Sequence, residues 1–166
     1  MDTLIIRPYE AKDEEAVLKL NTDSVSFLSP MDKTRFVYLK SRARLILVAE
    51  VDKKVVAFLI GFSDNADYDS VNYQWFSVRL KSFFYIDRIV VNKKYRSFGI
   101  GRTFYSKIYD WARQQGMKWL VAEIDIDPPN EKSLEFHNRQ QFVEVAKQVA
   151  GNGKKIVSLQ VKSVNA

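Results

Sequence analysis

The stretch that most constrains this chain runs from Phe83 to Gln115. It opens with an apolar strand pattern, Phe83-Phe84-Tyr85-Ile86-Asp87-Arg88-Ile89-Val90-Val91. A turn with two glycines follows, Arg96-Ser97-Phe98-Gly99-Ile100-Gly101, and then a helical pattern from about Gly101 to Gln115, stopped by Gly116. Two glycines at such a turn let the backbone approach an anion closely and turn successive N–H groups inward, and the helix N-terminus adds about half a positive charge. That is a design for a pyrophosphate. Glycines at a strand-to-helix turn also answer to geometry alone, so spacing by itself leaves both readings open. A Walker loop would end in Gly-Lys-Ser/Thr, whereas Gly101 is followed by Arg102-Thr103. A dinucleotide fingerprint needs a third glycine that is absent.

The rest of the chain supplies the setting. Leu4 to Arg7 reads as a strand and Asp13 to Asn21 as an amphipathic helix; a second helix is expected over about Asp32 to Ser41. Two apolar runs, Leu45 to Val51 and Val55 to Ile60, meet across Asp52-Lys53-Lys54 as a hairpin without the preferred glycine. Residues 62 to 80 break the periodicity and read as an excursion beside the sheet. After Gly116 come a buried strand over Trp119 to Ile126 and the punctuation Pro128-Pro129. A helix over about Asn130 to Gln140 follows, then strands near Phe142 to Val149 and Lys155 to Val161 joined by Gly151-Asn152-Gly153. Three to four helices against a mixed sheet make the class α/β or α+β.

At 166 residues, with no repeat, low-complexity tract or linker, one domain over 1–166 is expected. Cysteine is absent, which removes disulfides, thiolate metal sites and an acyl-cysteine route. The single histidine, His137, argues against a multi-histidine metal site, so no metal is expected. The net charge of +6 is spread along the chain and forms no stripe, so a polyanionic small molecule is as good a partner as nucleic acid, and no nucleic acid is expected. No apolar run approaches the roughly 20 residues of a membrane span, and Met1-Asp2-Thr3-Leu4 lacks a signal-peptide layout. The expectation is a cytoplasmic protein without a membrane partner.

The segment Val91-x-x-x-x-Arg96-x-x-Gly99-x-Gly101 resembles the acetyl-CoA-binding signature of the GNAT (GCN5-related N-acetyltransferase) superfamily, written Gln/Arg-x-x-Gly-x-Gly/Ala after the fourth strand. The continuation agrees: Asn130, Ser133, Phe136, His137 and Gln141-Phe142 stand where members carry an Asn, an aliphatic-facing helix, a Tyr and Gly-Phe. His137 replaces the Tyr and Gln141 the Gly. With the opening Ile5-Ile6-Arg7-Pro8-Tyr9, the resemblance spans nearly the whole chain. It implies a mixed, mostly antiparallel sheet of about seven strands. It also implies acetyl-CoA as acyl donor, an amine as acceptor, and direct attack within a ternary complex; a homodimer stays open.

By this resemblance the amides of Ser97, Phe98, Gly99, Ile100, Gly101 and Arg102 hold the pyrophosphate, and the backbone of Ile89, Val90 and Val91 pairs with the pantetheine arm. Arg96 either reaches a phosphate or is a solvated residue at the mouth of the turn. Asn130 bonds the pantetheine, caps its helix, or does both; Ser133 and Phe136 lie on that helix beside the cofactor. An alkyl amine with a pKa of ~10.4 is almost wholly protonated at neutral pH, so attack needs a base. Asp87 is the first candidate, because a carboxylate within an apolar strand is costly unless paired or functional; a structural pairing with Arg88 or another basic group is the alternative. Glu123, Asp125 and Asp127 alternate along one strand face as reserve bases or as the solvated face of an edge. His137 would protonate or hydrogen-bond the leaving thiolate, or lie on the surface. Carboxylates and rings between Phe62 and Leu80 suit a cationic amine, or are an ordinary surface loop. Two rivals remain: an acyl-CoA-binding module or sensor without turnover, and a nucleic-acid-binding domain supported only by net charge.

Overall fold

The computed structural model describes residues 3–24 and 28–165. Met1 and Asp2, part of the N-terminal reading above, lie outside the described residues. The described residues form seven strands and five α-helices: β1 Leu4–Pro8, α1 Glu14–Thr22, α2 Lys33–Arg42, β2 Leu45–Val51, β3 Lys54–Ser63, α3 Val71–Ser77 and β4 Phe83–Val91, then α4 Ile100–Gln114, β5 Trp119–Asp127, α5 Glu131–Arg139, β6 Val143–Ala150 and β7 Lys155–Ser163. The sheet is mixed, ordered β1-β2-β3-β4-β5-β7-β6, with β4 and β5 parallel. The α/β class and the strand count agree with the expectation. The boundaries of the four expected helices differ from it by one residue at each end, and α3 is an addition to it. Among the described residues no helix is long and apolar enough to cross a membrane.

Residues pack into two compact units, each with its own core. The first comprises the chain up to Phe62 together with Arg88–Asp110. Val17, Leu20, Phe36, Leu39, Val48, Phe58, Ile60, Phe104 and Ile108 are buried in it, each contributing roughly 1.5–3 kcal/mol of burial. The β2–β3 hairpin turns on Asp52 and Lys53, both in left-handed backbone (φ 50° and 68°), so two residues with side chains take the place of the usual glycine. Asp32 caps α2 by accepting from the Arg35 amide at 2.7 Å. Arg7 of β1 ties the entry to α1 to the sheet: its guanidinium donates to both oxygens of buried Asp13 at 2.8 Å and to Glu50 of β2.

The second unit comprises Ser63–Asp87 and the chain from Trp111 onward. Tyr73 and Phe76 of α3 pack against Phe83 and Tyr85 of β4, with ring centroids 5.5 to 6.5 Å apart. Ser70 starts α3 by accepting from the Tyr73 amide at 3.2 Å. On the far side, β5 pairs with β7 from Trp119↔Ser163 to Asp127↔Ile156, and β6 closes the sheet against β7. This overturns one reading of Glu123, Asp125 and Asp127: β5 lies inside the sheet, between β4 and β7, and is no edge.

Candidate functional site

Each unit carries a group of residues that can do chemistry. In the first, β4 ends at Val91 and a 3-10 turn, Lys93–Phe98, leads to Gly99. Asn92 opens that turn by accepting from the Lys94 amide at 2.9 Å, and its own amide is held by the Val56 carbonyl. Gly99 adopts left-handed backbone (φ 70°), and α4 begins at the next residue. A side chain costs roughly 1–2 kcal/mol in that conformation. A Cβ built on Gly99 would meet nothing within 4 Å, so the surface beside it is open to a ligand's approach.

The first α-helical hydrogen bond of α4 runs from the Thr103 amide to the Gly99 carbonyl at 3.0 Å. The helix therefore makes no use of the amides of Ile100, Gly101 and Arg102, as at any helix start. Arg96, Ser97, Phe98 and Arg102 are exposed around the turn, while buried Ile100 anchors it to the core. Open amides, a dipole end and two arginines suit a pyrophosphate. Ile89, Val90 and Val91 lie beyond the β4–β5 register, which covers only Phe83–Tyr85 against Trp119–Val121.

The second unit gathers carboxylates and phenols. The Tyr68 hydroxyl donates to Asp87 Oδ1 at 2.6 Å, and the Tyr85 hydroxyl donates to Glu123 Oε2 at 2.6 Å. Burial pushes the Glu123 carboxyl up to about 8, and the nearby Asp87 charge adds to the rise; hydrogen bonds from Tyr85 and Asn72 oppose it. Burial and the same two carboxylates push the Tyr85 phenol well up, so it stays a donor. Asp125 is separated from this group by its own partner, Lys155 Nζ at 3.3 Å, and Asp127 is exposed. Of the three alternating acids, the fold therefore brings only Glu123 beside Asp87. Arg88, the alternative partner proposed for Asp87, donates to Asn21 Oδ1 at 3.0 Å and to the Ser29 carbonyl at 3.2 Å.

The aromatic reading of residues 62–80 needs correction. Tyr68, Tyr73 and Phe76 are buried and their rings pack on one another and on β4, while Arg79 lies 4.2 Å over the Trp75 ring. Tyr68 offers Asp87 its hydroxyl, and those three rings are core rather than a face for an incoming cation.

On α5, Asn130 caps the helix by accepting from the Ser133 amide at 3.3 Å. Phe136 is half-buried beside the His137 ring, 5.5 Å away. His137 is 5% exposed, which overturns the reading of a surface histidine. Its Nδ1 donates to the Ser133 carbonyl at 2.8 Å, and burial pushes the imidazole down to about 4. The neutral ring is thus the form at neutral pH, and an imidazolium donor is not supported. Gln141, in the place of the expected Gly, is left-handed (φ 68°) and ends α5. Its amide bonds the Asn138 carbonyl and the Phe142 amide bonds the His137 carbonyl, both at 3.0 Å, a Schellman end with His137 and Phe142 rings 5.1 Å apart.

The sequence model of the Acetyltransferase (GNAT) family matches residues 12–142. No relative was found among curated proteins. Among solved structures, Ard1 from Thermoplasma volcanium is similar with a TM-score of 0.80 at 18% identity, over 98% of this chain and 99% of that one. The ribosomal-protein-S18-alanine N-acetyltransferase from Escherichia coli gives 0.75 at 17% identity, over 100% and 96%. The yncA protein from Salmonella typhimurium, solved with its cofactor acetyl-CoA, gives 0.75 at 18% identity, over 99% and 95%. At these identities the likeness speaks for the fold.

Proposed function

Because this chain belongs to the GNAT acetyltransferase family, we propose that it transfers an acetyl group from acetyl-CoA to a primary amine by direct attack in a ternary complex. The observation that carries the amine reading is the Asp87–Glu123 pair with its two phenols in the second unit. A protonated amine must lose a proton before it can attack, and a carboxyl pushed up to about 8 has the proton affinity for that task near neutral pH.

Within the pair, Glu123 takes the amine proton. Asp87, held by Tyr68, raises the proton affinity of Glu123 through its charge. The nitrogen lone pair forms the C–N bond, the second amine proton leaves to water, the C–S bond breaks, and the departing thiolate takes a proton back from water, since the His137 Nδ1–H is committed to the Ser133 carbonyl; the proton held by Glu123 is then released to solvent. When bound, acetyl-CoA supplies the activated acyl group. The amides of Ser97 to Arg102 would hold its pyrophosphate, with Arg96 alongside and the backbone of Ile89 to Val91 along its pantetheine. By the family resemblance, Asn130, Ser133 and Phe136 of α5 are the further candidate cofactor residues.

Thioester cleavage measured across a panel of amines, with free CoA as competitor, tests the reading. Amine-dependent CoA release that free CoA inhibits is expected. Tight CoA binding with no turnover on any amine would make the chain an acyl-CoA-binding module instead.

A further inference from the structure

We propose that Asn72 and Gln148 are positioning residues for Glu123: Gln148 fixes the orientation of the Asn72 amide, and the fixed amide donates to the carboxylate. The inference rests on the reading of Glu123 as proton acceptor. Asn72 is the second residue of α3 and is buried. An Asn amide has a donor end and an acceptor end of almost the same shape, so its partners decide which way it points. Gln148, on β6, sends its Nε2 to Asn72 Oδ1 at 3.0 Å and to the Val71 carbonyl at 3.2 Å. With its oxygen engaged, Asn72 turns its NH2 to Glu123 and donates to it. The Ser70 cap fixes the backbone beneath by holding the first turn of α3.

The surroundings of Glu123 show why such a donor matters. Tyr85 and Asp87 face it from β4, with the Tyr68 hydroxyl on Asp87; Asn72 faces it from α3. Leu159 stands opposite on β7, and Asp125, next on the same face of β5, is held by Lys155. Burial and the Asp87 charge favour the protonated acid. Tyr85 and Asn72 are the side-chain donors, beside a backbone hydrogen bond at Glu123 itself, that favour the carboxylate, which is the form able to accept a proton. Asn72 therefore sets how low in pH Glu123 can act, and Gln148 keeps Asn72 from turning its oxygen toward a carboxylate it would repel.

The test is a 13C NMR titration of the Glu123 carboxyl and a kcat/KM pH profile, for wild type, Asn72→Leu, Gln148→Met and the double variant. Loss of the donor raises the Glu123 midpoint, so in Asn72→Leu both midpoint and ascending limb should move up by about one pH unit. Gln148→Met should move them the same way by less. The double variant should go no further than Asn72→Leu, because the two residues act in series. A purely structural role would lower activity at every pH and leave the midpoint in place; an unmoved midpoint in folded Asn72→Leu overturns the proposal. If that variant fails to fold, an unmoved midpoint in Gln148→Met, whose site is half-buried, decides against it. A midpoint that moves while the rate profile does not would uphold the positioning of Glu123 and overturn its role as base.

Discussion

The Tyr85 hydroxyl sits 2.6 Å from Glu123 Oε2, so a fully buried phenol on β4 faces a carboxyl on β5. A phenol donor alone would hold a carboxylate charged and lower its proton affinity. Here burial outweighs the donor, and Asp87 adds a second charge to the same pocket of structure, so the carboxyl titrates at about 8. The cluster thus holds one carboxyl in its acid form at neutral pH beside a second one that Tyr68 holds by a short hydrogen bond.

Glu123→Gln should lower kcat/KM for an amine by ~10²-fold or more and flatten an ascending limb centred near pH 8. Stability should move the other way. A folded value above the unfolded one, about 4.3, means the folded state holds the extra proton between those two pH values, so native stability falls as pH rises through that window. Gln carries no such cost, and thermal melts above pH 8 should favour the variant. A variant with the wild-type pH–rate profile would return the base assignment to Asp87, whose Asp87→Asn variant would then show the loss.

Gly99→Val should weaken acetyl-CoA binding by calorimetry and cost about 1–2 kcal/mol of stability in chemical denaturation. The stability cost comes from the left-handed backbone, because a Cβ there meets no neighbouring atom. The binding loss comes from side-chain bulk on the open surface that the ligand would approach. Unchanged affinity for CoA would remove the cradle from this turn.

Gln141→Gly should stabilise the protein by about 1 kcal/mol, read from the denaturation midpoint. Gln141 holds φ 68° at the end of α5, where glycine pays no Cβ penalty. Thermal stability that falls on substitution would mean that contacts of the Gln side chain outweigh the backbone term.

What the sequence makes legible follows from how each signal is generated. The strand, glycine turn and α4 are readable because an apolar run, a left-handed Gly99 and a 3.6-residue period are all local. Helix α3 is hidden because polarity does not follow burial in its seven residues: polar Asn72 is buried while apolar Val71 is exposed, which blurs the period; the Ser70 cap was the signal available. Strand alternation made Glu123, Asp125 and Asp127 equivalent. What separates them is across the sheet, Tyr85 for the first and Lys155 for the second, and such partners are set by register rather than by neighbours in sequence. Asn72 and Gln148 are 76 residues apart and carried no local mark at all.

His137 illustrates the same limit and yields the last prediction. Its burial follows from its place two residues before the end of α5, where the Schellman turn folds Phe142 back onto its ring. A neutral imidazole with Nδ1–H on the Ser133 carbonyl should give a 15N spectrum of one tautomer, unchanged from pH 8 down to about pH 5, with titration only near 4. The folded value lies below the unfolded one of ~6.5, so the unfolded chain takes up a proton first, and stability should fall as pH drops from 6.5 toward 4. His137→Phe keeps the ring, removes the titration, and should abolish that part of the acid destabilisation. Because the thiolate is protonated by water in this account, kcat for His137→Phe should stay within a few-fold of wild type between pH 6 and 9. A drop of 10²-fold in kcat with acetyl-CoA affinity intact would restore the histidine to the chemistry, acting through its Nε2 side.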